Sequence, residues 1–137
     1  MLLYQDSILQ LTYDPATDIL EMDWPDLTPS YLPETKQALQ ALVETVRDYD
    51  VKNLLVDGSK ASVTISDEEN ATLLLKIAQE FNATRLRKVA RIASTDLRRE
   101  TAADENLFRI QHSLDLHYQM QNFTDRAQAM TWLKDIS

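Results

Sequence analysis

Asn53-Leu54-Leu55-Val56-Asp57 is the segment from which the architecture can be read. Three consecutive apolar residues bounded by polar ones leave no wet side, which suits a strand covered on both faces, as in a parallel sheet. Parallel neighbours need helical crossovers, and the flanking sequence supplies them. Upstream, Thr28-Pro29-Ser30 opens a helix with Leu32, Leu39, Leu42, Val43 and Val46 on one side, ended by the charged segment Asp48 to Lys52. Downstream, Ser66-Asp67-Glu68-Glu69 is a capping box, and its helix groups Ala71, Leu74, Leu75, Ala78 and Phe81.

Further out, Ser7 to Asp14 alternates Leu9, Leu11 and Tyr13, and Ile19 to Trp24 alternates Leu20, Met22 and Trp24, with the turn chemistry of Asp14 to Asp18 between them. This predicts an antiparallel hairpin, with Glu21 and Asp23 on its solvated face and Trp24 in the core. Lys88 to Ser94 reads as a strand and Leu97 to about His112 as a helix interrupted near its start. Leu114, Leu116, Tyr118 and Met120 read as a strand with one wet face. Thr124 then caps a final helix using Ala127, Met130, Leu133 and Ile136, with Trp132 as a core anchor. The expected order is ββαβαβαβα: an α/β fold with a mixed five-stranded sheet, an N-terminal hairpin plus three parallel strands, and four helices. No repeat or linker interrupts residues 1–137, so one domain is expected. The pattern leaves open whether the helices cover one sheet face or both.

Composition narrows the chemistry. The 137 residues include no cysteine, one glycine (Gly58) and two histidines. Thiolate metal sites, cysteine nucleophiles and glycine-rich phosphate loops are therefore excluded. His112 and His117 with Asp115 lack a third strong ligand, so no metal and no cofactor are expected. No serine lies in a nucleophile elbow, and no catalytic constellation is visible. The chain reads as non-enzymatic.

The net charge is −8, which argues against nucleic-acid binding. Residues 1–50 hold ten acids against Lys36 and Arg47, while Arg85, Arg87, Lys88, Arg91, Arg98 and Arg99 cluster later. The cluster reads as a solvated edge, an anion site, or a surface meeting the acidic segment of a second copy. That asymmetry motivates a homodimer. No leader peptide or membrane-spanning apolar run is visible, so a cytoplasmic protein without membrane insertion is expected.

The order of elements resembles the STAS-like domains, and more closely the SpoIIAA-like branch of small bacterial proteins, which is similar to CRAL-TRIO lipid-binding modules. The resemblance rests on the hairpin, Leu54-Leu55-Val56-Asp57, Val89-Ala90-Arg91-Ile92-Ala93, and the ending Phe123-Thr124-Asp125 through Ala129-Met130-Thr131-Trp132-Leu133. It implies a regulatory or protein-interaction module with a regulatory protein partner. In anti-sigma factor antagonists a serine in an Asp-Ser-Ser-Gly segment is phosphorylated; the resemblance brings Ser66 to that region. Here Ile65 replaces the upstream aspartate and the glycine is missing, while helix capping already explains Ser66.

In an open parallel sheet, ligands bind beyond the carboxyl ends of the strands. Two loops qualify, Asp57 to Ser62 and Ser94 to Glu100. Asp57, Ser59, Lys60, Ser94, Thr95, Arg98 and Arg99 are the candidate ligand-binding residues, suited to a small anionic or lipid-like molecule. The structural alternative has Gly58 serving a tight turn and the arginines pairing with Asp96 and Glu100. The leading expectation is a regulatory interaction module; the alternative is a carrier of such a ligand.

Overall fold

The computed structural model describes residues 1–135. The strands are β1 (Leu2–Gln5), β2 (Gln10–Asp14), β3 (Ile19–Asp23), β4 (Asn53–Asp57), β5 (Lys88–Ile92) and β6 (Gln119–Phe123). The helices are α1 (Leu32–Asp48), α2 (Asp67–Phe81), α3 (Leu97–Ser113) and α4 (Arg126–Lys134), with a short 3₁₀ turn at Pro29–Tyr31 ahead of α1. The strands lie side by side in chain order, β1 to β6. β1, β2 and β3 pair antiparallel, and β3 through β6 pair parallel.

That order decides where the helices go. Right-handed crossovers advancing in one direction must all pass over the same face. The large core accordingly joins Leu20, Met22, Leu54, Val56 and Val89 of the strands to Leu39, Leu42 and Val46 of α1 and Leu73, Ile77 and Phe81 of α2. Among the described elements only α4, which follows the last strand, is free to cover the other face. It buries Ala129 and Leu133 against Ile19, Leu55, Ala90 and Ile92. Both faces are therefore covered, and the burial of Leu54, Leu55 and Val56 follows. Trp24 and Trp132 are half-buried and flank the two cores.

The sheet has six strands, correcting the expected five. The added one is β1, which pairs Leu2 with Thr12 and Tyr4 with Leu11 around an irregularity. It is too short to show a period, and Leu2 is exposed. Asp6 makes the turn that follows: its carboxylate accepts from the Ile8 and Leu9 amides, so β2 starts at Gln10 rather than Ser7. The hairpin turn itself ends at Asp18, in the left-handed region with φ 54°.

The last strand also moves. Leu114 to Tyr118 is a connecting segment, and β6 begins at Gln119. Asn82, capping the end of α2, donates to the Asp115 carbonyl and accepts from the His117 amide. The segment is thereby tied to a helix end rather than to the sheet, despite its alternation. The buried stripe of α2 is Leu73, Ile77, Ala78 and Phe81, turned by about one residue from the expected one. Asp125, not Thr124, caps α4 by accepting from the Ala127 amide. The expected core position Ile136 lies outside the described residues.

Candidate functional site

The carboxyl ends of the parallel strands are aligned, with Asp23, Asp57, Ile92 and Phe123 in register. The Asp57 and Ser94 loops leave this edge, and α3 holds them together. Arg99, in its first turn, donates to the Gly58 carbonyl at 2.9 Å and to the Ala61 carbonyl. Burial lowers the Arg99 pKa, reinforced by the Arg91 charge. Asp96 caps the helix, accepting from the Arg98 and Arg99 amides at 3.0 and 3.2 Å.

A second tie runs through residues the sequence reading did not single out as a pair. Arg91, projecting from β5, donates bidentately to Glu100 at 2.7 and 3.0 Å. Their side chains are only 22% and 17% exposed. Glu100 also accepts from the Ser94 amide and hydroxyl at 3.0 and 2.8 Å. Burial alone would raise the Glu100 pKa, but these partners more than offset it and hold the carboxyl at about 2. Gly58 has no positive φ, so it is not needed for a left-handed turn. A β-carbon there would stand 3.1 Å from Arg91 Nε and 3.2 Å from the Ile92 carbonyl. The glycine is the space that lets the guanidinium pass.

The expected ligand residues thus divide. Asp57 accepts from the Ser59 amide at 2.9 Å and hydroxyl at 2.5 Å. Burial opposes its ionisation, but Ser59, with Lys60 and Arg126 nearby, holds its pKa below the usual carboxylate value. Asp57, Ser59, Ser94 and Arg99 are engaged within the chain. Lys60, Thr95 and Arg98 are exposed. The expected pairing of Arg98 and Arg99 with Asp96 and Glu100 is replaced: Arg99 takes carbonyls, Arg91 takes Glu100, and Asp96 is spent on amides.

The wider basic cluster is also largely consumed. Arg85 lies 3.7 Å from Asp50, and the Lys88 ammonium donates to the Trp132 and Asp135 carbonyls. Among the described residues, Arg85 and Arg91 of the cluster pair with carboxylates, while Lys88 and Arg99 are held by carbonyls and keep their charge. On the hairpin, Glu21 is not simply solvated but pairs bidentately with Arg126. Ser66 stands exposed at the start of α2, accepting from the Glu69 amide at 3.1 Å and donating to its carboxylate at 3.3 Å. His112 stacks on Phe108, with ring centroids 3.9 Å apart, while the His117 amide is held by Asn82.

Beneath α3 lies a cavity of about 680 Å³, the size of a small-molecule site. Its inner wall is Leu54, Val56 and Val89 of the sheet and Ile77 and Phe81 of α2. The cause is legible in the helix. Where α1 presents Leu39, Leu42 and Val46 to the core, α3 presents Ala102, Ala103, Asn106 and Ile110. Small side chains leave the space unfilled, and none of the buried residues forming the large core comes from α3. Thr95, Arg98, Thr101 and Glu105 stand exposed around the opening, with Asp67 of α2. The apolar interior was missed because each wall residue reads as ordinary core; the available signal was the pair of alanines followed by Asn106.

No family model matches the chain, and no curated protein matches it. Two solved structures are similar over nearly the whole length. One is an uncharacterised protein of the DUF3478 family with a SpoIIAA-like fold from Shewanella loihica: TM-score 0.58, 16% identity, covering 96% of this chain and 98% of that one. The other is an anti-sigma factor antagonist from Mycobacterium paratuberculosis: TM-score 0.54, 12% identity, covering 97% and 100%. The six-stranded mixed sheet, with three crossover helices on one face and a closing helix on the other, is a SpoIIAA-like, STAS-type fold.

Proposed function

We propose that the protein is a non-enzymatic regulatory module that acts by binding, and that it takes a small amphipathic molecule in the cavity beneath α3. The observation that supports this is the cavity itself: about 680 Å³ at the carboxyl end of a parallel sheet, apolar inside and polar at its opening. Native mass spectrometry of freshly purified protein is expected to show additional small-molecule mass that is lost on denaturation. In Ala103→Phe, which fills the cavity from the helix side, that mass should be absent. If each protein showed only the mass of its own bare polypeptide, the reading would sink.

A second reading, a cytoplasmic module that docks on a regulatory protein, is favoured by the outer side of α3. Leu97 is 82% and Phe108 61% exposed, and the fold is shared with an anti-sigma factor antagonist. The two readings use opposite sides of one helix and can coexist. Leu97→Ser with Phe108→Ser should abolish capture of such a partner without changing the melting temperature. A partner held equally well by the double variant would remove this surface from the account.

A further inference from the structure

Asn106 is the one buried side chain of α3 that packing does not explain. It is 9% exposed, it lines the cavity, and its carboxamide makes no hydrogen bond among the described residues. The residue as a whole is nearly buried, but its amide atoms are open to the cavity rather than sealed in the core, and leucine would serve better if packing were its only task. The carboxamide offers two donors and one acceptor to whatever enters the cavity.

The surrounding charge narrows the class. Arg91 is neutralised by Glu100. The other charged side chains in the lining are Arg98 and Arg99 against Asp67, Asp96 and Glu105, two cations to three anions, and Arg99 is already held by two carbonyls. Carboxylates outnumber guanidiniums around the opening, so an anion entering there gains no net attraction. Of the two arginines that suggested an anionic ligand in the sequence, Arg99 braces the loops and Arg98 stands exposed at an opening that also carries three carboxylates.

We infer that the cavity takes an uncharged amphipathic molecule whose hydrogen-bonding group is read by the Asn106 carboxamide, with its apolar body against Val56, Ile77, Phe81 and Val89. This rests on the binding reading above and adds the ligand's class and the residue that selects it.

Three probes of nearly one shape test it: naphthamide, naphthoate and methylnaphthalene, titrated by calorimetry against wild type, Asn106→Leu and Asn106→Ala. Wild type should bind naphthamide roughly five- to ten-fold more tightly than methylnaphthalene, the span expected of one net hydrogen bond. Naphthoate should bind no better than methylnaphthalene. In Asn106→Leu the naphthamide advantage should vanish while a cooperative melting transition shows that the protein is still folded. Asn106→Ala, which cannot overpack the site, should lose the advantage too. Tightest binding of naphthoate would overturn the uncharged class. A naphthamide preference that survives both substitutions would overturn the role of Asn106. Binding of all three probes without preference would overturn the inference and leave the cavity reading intact. Binding of none would defeat both.

Discussion

Glu100 does more than any other single side chain to hold the candidate site in shape, since it joins β5, the Ser94 loop and α3. Its carboxyl titrates at about 2 in the folded protein against 4.5 ordinarily. A depressed carboxyl contributes stability that is fully present above the ordinary value and is lost as pH falls through the folded one. Glu100→Gln should therefore cost about 2–3 kcal/mol near neutral pH, with most of the difference gone at about pH 2. Urea titrations of both proteins at several pH values check this; a cost independent of pH would mean the carboxylate charge is not what matters. Residue-scale legibility was uneven. Ser66 was readable as a cap because its partner is three residues away. Arg91 and Glu100 were not readable as a pair, because their meeting depends on a turn and a cap between them. Gly58 was read as serving a tight turn, whereas its visible role is the absence of a β-carbon beside Arg91 and the Ile92 carbonyl.

Among the elements, α3 stands apart. It packs mainly on α2, presents small and polar residues inward, and buries only Asn106 and Ile110. Stability within a fold follows buried apolar contact, so α3 should open more readily than α1, which buries eight residues. Hydrogen exchange is expected to show α3 amides exchanging well before those of α1, and Asp96→Ala should accelerate them further by removing the cap. Equal protection of the two helices would contradict this account of the cavity. The elements that sequence located well, α1 and β4, are those with a strong period or an unbroken apolar run. The shifted β6 and turned α2 show the opposite case. Leu114 to Tyr118 alternates, yet Asn82 claims its backbone; Leu74, half-buried, lies in the cavity lining.

At the scale of the molecule, the net charge of −8 sets how copies meet. Sequence placed acids and bases in separate segments, which suggested attraction between copies, but folding brings several of these charges together. Arg85 meets Asp50, and Arg126 meets Glu21. A charge-driven dimer would dissociate as salt is raised from about 50 to 500 mM, across which screening shortens several-fold. We expect sedimentation to give one mass throughout; a mass that falls with salt would restore the electrostatic dimer. The α/β class and the parallel crossovers were legible because period and connectivity determine them. The unbroken Leu54-Leu55-Val56 run implied a β4 covered on both faces, but which helix covers which face was not legible, because it depends on the spatial order of strands.

That spatial order has a consequence for synthesis. Each strand pairs with its neighbours in sequence, so the sheet can grow strand by strand as the chain leaves the ribosome. The face under α1 and α2 can be covered along the way. The opposite face cannot, because Ile19, Leu55, Ala90 and Ile92 wait for Ala129 and Leu133, which are made only after every strand of the sheet. Until then the nascent protein carries an apolar strip across its middle strands, a natural target for a chaperone and the point at which a prematurely terminated chain would aggregate.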